Sequence, residues 1–171
     1  MKINVEIARE SQDREQRSFL NEEFIAEITE RVLSRYPAFA QSGEFELSIL
    51  LTDNSKMKSL NKEFREKDKA TNVLSFPDED LDWRNIDKIN KADKTHLDSS
   101  EVFLGDVAFG YQIISEEAQE KSISFQDHFT HLLIHAILHL IGYDHIEDED
   151  AKAMETLETE LLQSLNIASP Y

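Results

Sequence analysis

Five of the six histidines of this chain fall within 18 residues: His128, His131, His135, His139 and His145. At about 100° per residue, the first four lie along one face of a single helix. His135 and His139 are one turn apart, the spacing at which two imidazoles can grip one metal ion. Gly142 then ends the helix, because glycine best adopts the left-handed conformation after a last turn, and the chain can fold back to bring His145 toward the same ion. The pattern is His-x-x-x-His-x-x-Gly-x-x-His. Three neutral imidazoles in a tetrahedral set leave the fourth position for water or substrate, as in a catalytic rather than a closed structural site. His96, and to a lesser extent His128 and His131, read more simply as ordinary core or surface histidines.

Cysteine is absent, which excludes disulfide scaffolds, thiolate metal sites and a cysteine nucleophile. Any metal site must use His, Asp or Glu. Divalent affinity orders favour copper or nickel, so zinc, one ion, is expected from coordination geometry and availability. The pattern has the outline of a metzincin peptidase, but Ala136 stands where the peptidase general base should be. Alanine can take no proton, so peptide cleavage by that mechanism is not expected. A phosphodiester is a different case, because its leaving oxygen and developing charge can be stabilised by a metal ion and a guanidinium together.

Charge bears on that distinction. The chain carries 18 basic and 35 acidic residues, a net charge of −17. Between Lys56 and Lys69 six basic residues face three acids, a local +3 inside a remainder of −20. That stretch could meet a polyanion. From Glu147 to Glu160 seven acids are opposed only by Lys152. Both runs read as solvated helix faces. Met1 to Ile7 alternates polar and apolar residues, unlike a secretory signal. The most apolar stretch, Leu132 to Gly142, is well under the roughly 18 residues of a membrane span. A cytoplasmic protein with no membrane partner is expected.

The length fits one compact domain over residues 1–171. Alternation predicts strands over 2–8 and from Phe45 to Leu51, and apolar periodicity predicts a helix from Asn21 to Tyr36. Asp53 is a candidate N-cap for a helix over 54–65 that carries Arg65 at its basic end. Val73 to Phe76 reads as a strand. Residues 78–100 read as a long, mobile excursion holding Trp83. Val102 to Phe109 is strand-like, but Gly105-Asp106 in its middle signals a bulge or a close backbone approach. Helices are expected over 111–120, over 124–141 with Ser124 as N-cap, and over 147–165 with Met154, Leu157, Leu161, Leu162 and Leu165 inward. The fold class is α+β, a mixed sheet packed with helices and a metal site on the histidine-bearing helix and its following turn, in a zincin-like arrangement.

The run from His131 to His145, together with Leu60-Asn61 to Arg65, Thr71 to Pro77 and Leu104-Gly105-Asp106, resembles the YbeY family of bacterial metalloendoribonucleases from roughly Leu51 onward. The resemblance implies a zinc-dependent, single-strand-specific endoribonuclease acting in ribosomal RNA maturation, notably at the 16S 3′ end, and in ribosome quality control. Its partners would be single-stranded RNA, ribosomal RNA, the ribosome and a protein partner there. It implies His135, His139 and His145 as metal ligands and Arg65 as the important arginine, holding the phosphate. His131, one turn before His135, is a candidate for proton transfer or for a supporting role behind the ligands. Asp106 and Asp144 are candidates to orient an imidazole. This chain departs from the family in having Ala136 in place of glycine and a longer 78–100 excursion. Two other readings are a non-enzymatic assembly factor stapled by zinc and a metallohydrolase of another substrate.

Overall fold

A computed structural model of the chain describes residues 1–10, 17–40, 43–86, 101–145 and 147–171. His96 and the excursion beyond Ile86 lie outside the described residues. The elements in order are β1 (Lys2–Arg9), α1 (Glu22–Leu33), α2 (Pro37–Ala40), β2 (Glu44–Thr52), α3 (Asn54–Arg65), β3 (Val73–Pro77), β4 (Glu101–Gly110), α4 (Tyr111–Glu120), α5 (Phe125–Leu140) and α6 (Asp148–Ser164). Asn21, Asp53 and Ser124 cap α1, α3 and α5, their side chains accepting from the backbone N–H of Phe24, Lys56 and Asp127 at 2.9–3.0 Å. Each such cap is worth about 1 kcal/mol.

The expected helix to Tyr36 stops earlier, at Leu33. Tyr36 precedes a proline, which disfavours helical backbone there, and Pro37 instead opens α2, where its missing N–H costs nothing.

The sheet is mixed, in the order β1-β2-β4-β3. β1 runs parallel to β2 and β2 parallel to β4, while β3 is antiparallel to β4. Phe45, Leu47, Ile49 and Leu51 of β2 are all buried, toward the side that carries α1 and α5. β4 keeps to that side by a bulge. Glu46 pairs with Phe103 and Leu47 with Gly105, so Leu104 has no partner on β2. Side chains alternate with period two, so the extra residue switches the buried set from Val102 and Leu104 to Val107 and Phe109. Without it Asp106 would point into the core. Gly105 holds the bulge at φ 131°, and a Cβ there would lie 2.2 Å from the carbonyl oxygen of Phe76 on β3.

α5 is packed on nearly all sides, touching β3, β4, α1, α4 and α6. Phe129, Leu133, Ile134, Ile137 and Leu138 are fully or almost fully buried, each contributing roughly 1.5–3 kcal/mol. On the far side of the sheet α3 closes a smaller cluster of Met57, Leu74 and Ala108. Part of that face is open, and Phe64 there is 55% exposed beside Phe76. Among the described residues no helix is long and apolar enough to cross a membrane.

The excursion also departs from expectation where it is described. Ile86 is fully buried and Trp83 packs against the core, so the segment 81–86 is part of the packed structure.

Gly105→Ala would combine a disallowed backbone with a clash against backbone, and urea unfolding should show a loss of roughly 2–5 kcal/mol. A loss below about 1 kcal/mol would mean that the bulge relaxes and does not hold the strand's phase.

Candidate metal centre

α5 presents His135 and His139 one turn apart, both partly buried. After Leu140 the helix closes with the N–H of Gly142 bonded to the His139 carbonyl and that of Tyr143 to the Leu138 carbonyl. Gly142 sits at φ 97°, and a Cβ there would fall 1.9 Å from the Leu81 carbonyl oxygen, so only glycine fits. The chain reverses and returns His145 to the helix end. The Nε2 of His139 lies 3.1 Å from that of His135 and 2.9 Å from that of His145.

The other ring nitrogens determine what those atoms can do. His135 Nδ1 meets a carboxylate oxygen of Glu158 at 2.6 Å, and His139 Nδ1 meets the carbonyl oxygen of Tyr143 at 2.8 Å. A carbonyl only accepts, so His139 donates from Nδ1. Burial would push the Glu158 carboxyl up, but hydrogen bonds from His131, His135 and Tyr171 and the charge of His135 outweigh it and hold the group at about 2. Glu158 is therefore an ionised acceptor, and His135 donates to it. Burial pulls His139 down to about 4, aided by the charges of His135 and His145. Burial, then His135, also lowers His145.

Neutral His139 thus turns a bare Nε2 lone pair toward the Nε2 of His135. That lone pair calls for a cation, and either a proton on a neighbouring Nε2 or a metal ion among the three imidazoles supplies it. Tetrahedral zinc with Zn–N of about 2.0–2.1 Å would set nitrogens about 3.3 Å apart, close to the observed separations. The donor set fits a borderline-soft divalent ion, with both helical imidazoles held in the tautomer that such an ion requires.

The three histidines open on a cavity of about 570 Å³ whose other walls include Arg65, Lys67, Lys69, Asn61 and Asp144. Arg65 comes from the last turn of α3 and is joined to β3 by a 3.1 Å hydrogen bond from Nη2 to the Ser75 carbonyl. Lys58 and Lys62 pair with Asp68 instead. Asn61 donates to the Lys69 carbonyl at 2.8 Å and holds the basic loop over the opening.

The structure therefore brings together His135, His139, His145, Arg65 and Asp144. His131 stands behind them: its Nε2 faces Glu158 at 3.2 Å, and its buried Nδ1 meets no partner among the described residues. Asp106 lies in a different hollow, with Phe64, Phe76 and Leu60 on the α3 side of the sheet. Ala136 is fully buried and does not line the cavity. The groups that orient the helical imidazoles are Glu158 and the Tyr143 carbonyl.

Glu158 corrects the reading of the 147–160 run as a solvated face, since it is fully buried and Asp150 is only 6% exposed. The signal was its position. Glu158 is four residues after Met154 and three and four before Leu161 and Leu162, an acid on the apolar stripe of α6. His128, almost fully enclosed, bonds Glu117 through Nε2 at 2.6 Å and is a core histidine away from the three converging imidazoles.

Residues 7–166 match the family model described as "Endoribonuclease YbeY". An endoribonuclease YbeY of Sphingopyxis alaskensis is 43% identical over 126 residues, which cover 74% of this chain and 71% of that protein. A Thermotoga maritima protein solved in solution superposes with a TM-score of 0.52 at 21% identity, over 96% of this chain and 91% of that one, a likeness of fold.

Replacing Glu158 by Gln removes the ionised acceptor behind His135 and should weaken zinc binding about 10–100-fold by calorimetry; unchanged affinity would remove Glu158 from the orienting role. In protein stripped of metal, the lowered pKa of His139 means that below the unfolded value of 6.5 the unfolded chain takes up a proton that the folded one refuses. Stability in urea should therefore fall as the pH drops from 6.5 toward about 4, and His139→Asn should flatten that slope.

Proposed function

Because this chain belongs to the YbeY family of endoribonucleases, a nuclease acting on RNA, we propose that it cuts single-stranded RNA with the help of one zinc ion held by His135, His139 and His145. In this reading residues 1–171 form one zincin-like catalytic domain that works in the cytoplasm. Its task is ribosomal RNA maturation, with the 16S 3′ end as its target, and ribosome quality control, in contact with the ribosome and a protein partner there. One observation supports it above the rest: three imidazole Nε2 atoms converge across one cavity from the guanidinium of Arg65.

Arg65 binds and orients the scissile phosphate. Its planar fork matches two phosphoryl oxygens, and its bond to the Ser75 carbonyl keeps it aimed across the cavity. As negative charge develops on those oxygens the guanidinium needs no reorganisation to stabilise it. Lys67 and Lys69 extend the positive wall along which the flanking backbone lies. When bound, the zinc ion supplies Lewis-acid polarisation at the same phosphate. Glu158 keeps the His135 proton on Nδ1, and the Tyr143 carbonyl does the same for His139. His131 donates its share to Glu158, which supports a positioning role for it, and Asp144 contributes a carboxylate at the cavity wall.

An end-labelled single-stranded RNA, incubated with zinc-loaded protein, should be cut by the native chain and left intact by His139→Ala. Arg65→Ala should retain zinc in a one-to-one ratio and lose at least about 100-fold in cleavage rate. Cleavage by Arg65→Ala at the native rate would end its assigned role. Identical behaviour of the native chain and His139→Ala, with zinc bound to the native chain, would favour a zinc-stapled assembly factor.

A further inference from the structure

Of the three converging imidazoles His145 is the exposed one, carried on a turn rather than on α5. Its position depends on what fixes the chain on either side. Upstream, the backbone of Leu81 lies against Gly142, in the space a side chain would need. The ring of Trp83 stacks on that of Tyr143, with centroids 4.5 Å apart and planes 10° from parallel. The far end of the same ring is tied by a 2.5 Å hydrogen bond between the hydroxyls of Tyr143 and Tyr36. Downstream, the Arg84 guanidinium donates to Asp150, a nearly buried carboxylate in the first turn of α6. Arg84 also stands 5.1 Å from the Trp83 ring. Asp82 turns this short segment on itself, accepting from the Arg84 N–H at 3.0 Å and from the Asn85 side chain at 2.7 Å, and Ile86 is sunk in the core.

We propose that the segment 81–86 is a clamp that fixes the third imidazole, with Trp83 and Arg84 as positioning residues for His145. The span carrying His145 is bracketed between Tyr143 and Asp150, and neighbouring residues of one segment hold both brackets. The clamp spares a bound ion the entropy of ordering a free turn, so its contribution is to preorganise the site. It also holds Tyr143, whose carbonyl sets the tautomer of His139. The inference rests on the reading of the three histidines as one metal site.

The test is a double-mutant cycle read by cobalt(II), whose visible absorption reports coordination geometry. Metal-free native chain, Trp83→Leu, Arg84→Met, His145→Ala and His145→Ala combined with Trp83→Leu are titrated with cobalt(II) against a competing chelator. Trp83→Phe is added because it preserves a stacking ring. Urea unfolding of each metal-free variant runs in parallel. Trp83→Leu and Arg84→Met are expected to bind about tenfold more weakly, with a reduced tetrahedral-type spectrum, and Trp83→Phe to restore most of both. In the His145→Ala background Trp83→Leu should cost at least threefold less than in the native one, because the ligand through which it chiefly acts is gone and only its hold on Tyr143 remains. Equal losses in the two backgrounds, or native affinity and spectrum in both Trp83→Leu and Arg84→Met, would overturn the clamp while leaving the metal site intact. A native chain that binds no cobalt(II) would overturn the metal reading itself and the clamp with it.

Discussion

A helix packed on almost every side cannot carry four imidazoles unless each is given something to bond to, and much of this structure follows from that demand on α5. Burying an unpaired polar group costs about as much as a good apolar contact contributes. Each partner therefore arrives from a different element. Glu117 of α4 meets His128, Glu158 of α6 meets His131 and His135, and the turn after α5 lends a carbonyl to His139. The order of the helices around α5 is thus also an order of proton acceptors along one polar seam. Among the described residues, the seam ends where Nε2 of His135 and His139 meet only other imidazoles. His128 and His131 each find a carboxylate for one ring nitrogen, and the last set is left for a ligand.

Much of this was legible in advance because the periods are strong. Alternation in β2, the caps Asp53 and Ser124, the glycine after α5 and the glycine inside β4 each have a local cause, and each appears at or within a residue or two of where the sequence puts it. What was hidden is long-range. Glu158 looks like one more acid in an acidic run, because nothing local says that this turn of α6 faces histidines 23 and 27 residues earlier in the chain. Asp106 and Asp144 drew attention by standing near motifs, yet a strand places neighbours on opposite faces, and Asp106 lies on the side away from α5. Trp83 sits in a stretch without periodicity, so only long-range contacts, its stacking on Tyr143 and the burial of Ile86 among them, reveal that the stretch is packed.

Charge is arranged with the same economy. The net charge of −17 would oppose any polyanion approaching at random. Yet Arg65, Lys67 and Lys69 stand together at the cavity, while Glu46 and Glu101 on the sheet crowd one another enough that the Glu101 charge pushes the Glu46 carboxyl up. Among the described residues, these three cations give a phosphate chain a local attraction at the cavity that the net charge of the chain opposes.

The bulge in β4 reaches further than the core it protects. Gly105 pairs with Pro77, and two residues along, roughly 7 Å, Val107 pairs with Ser75, whose carbonyl anchors Arg65. A slip of β3 by one residue would carry that carbonyl about 3.3 Å away and turn its neighbours to the opposite side of the sheet. The place of the carbonyl that anchors the guanidinium is therefore quantised, set in whole residues by the pairing of two strands. The side chains around it can be altered one at a time, while the anchor itself moves only in discrete steps.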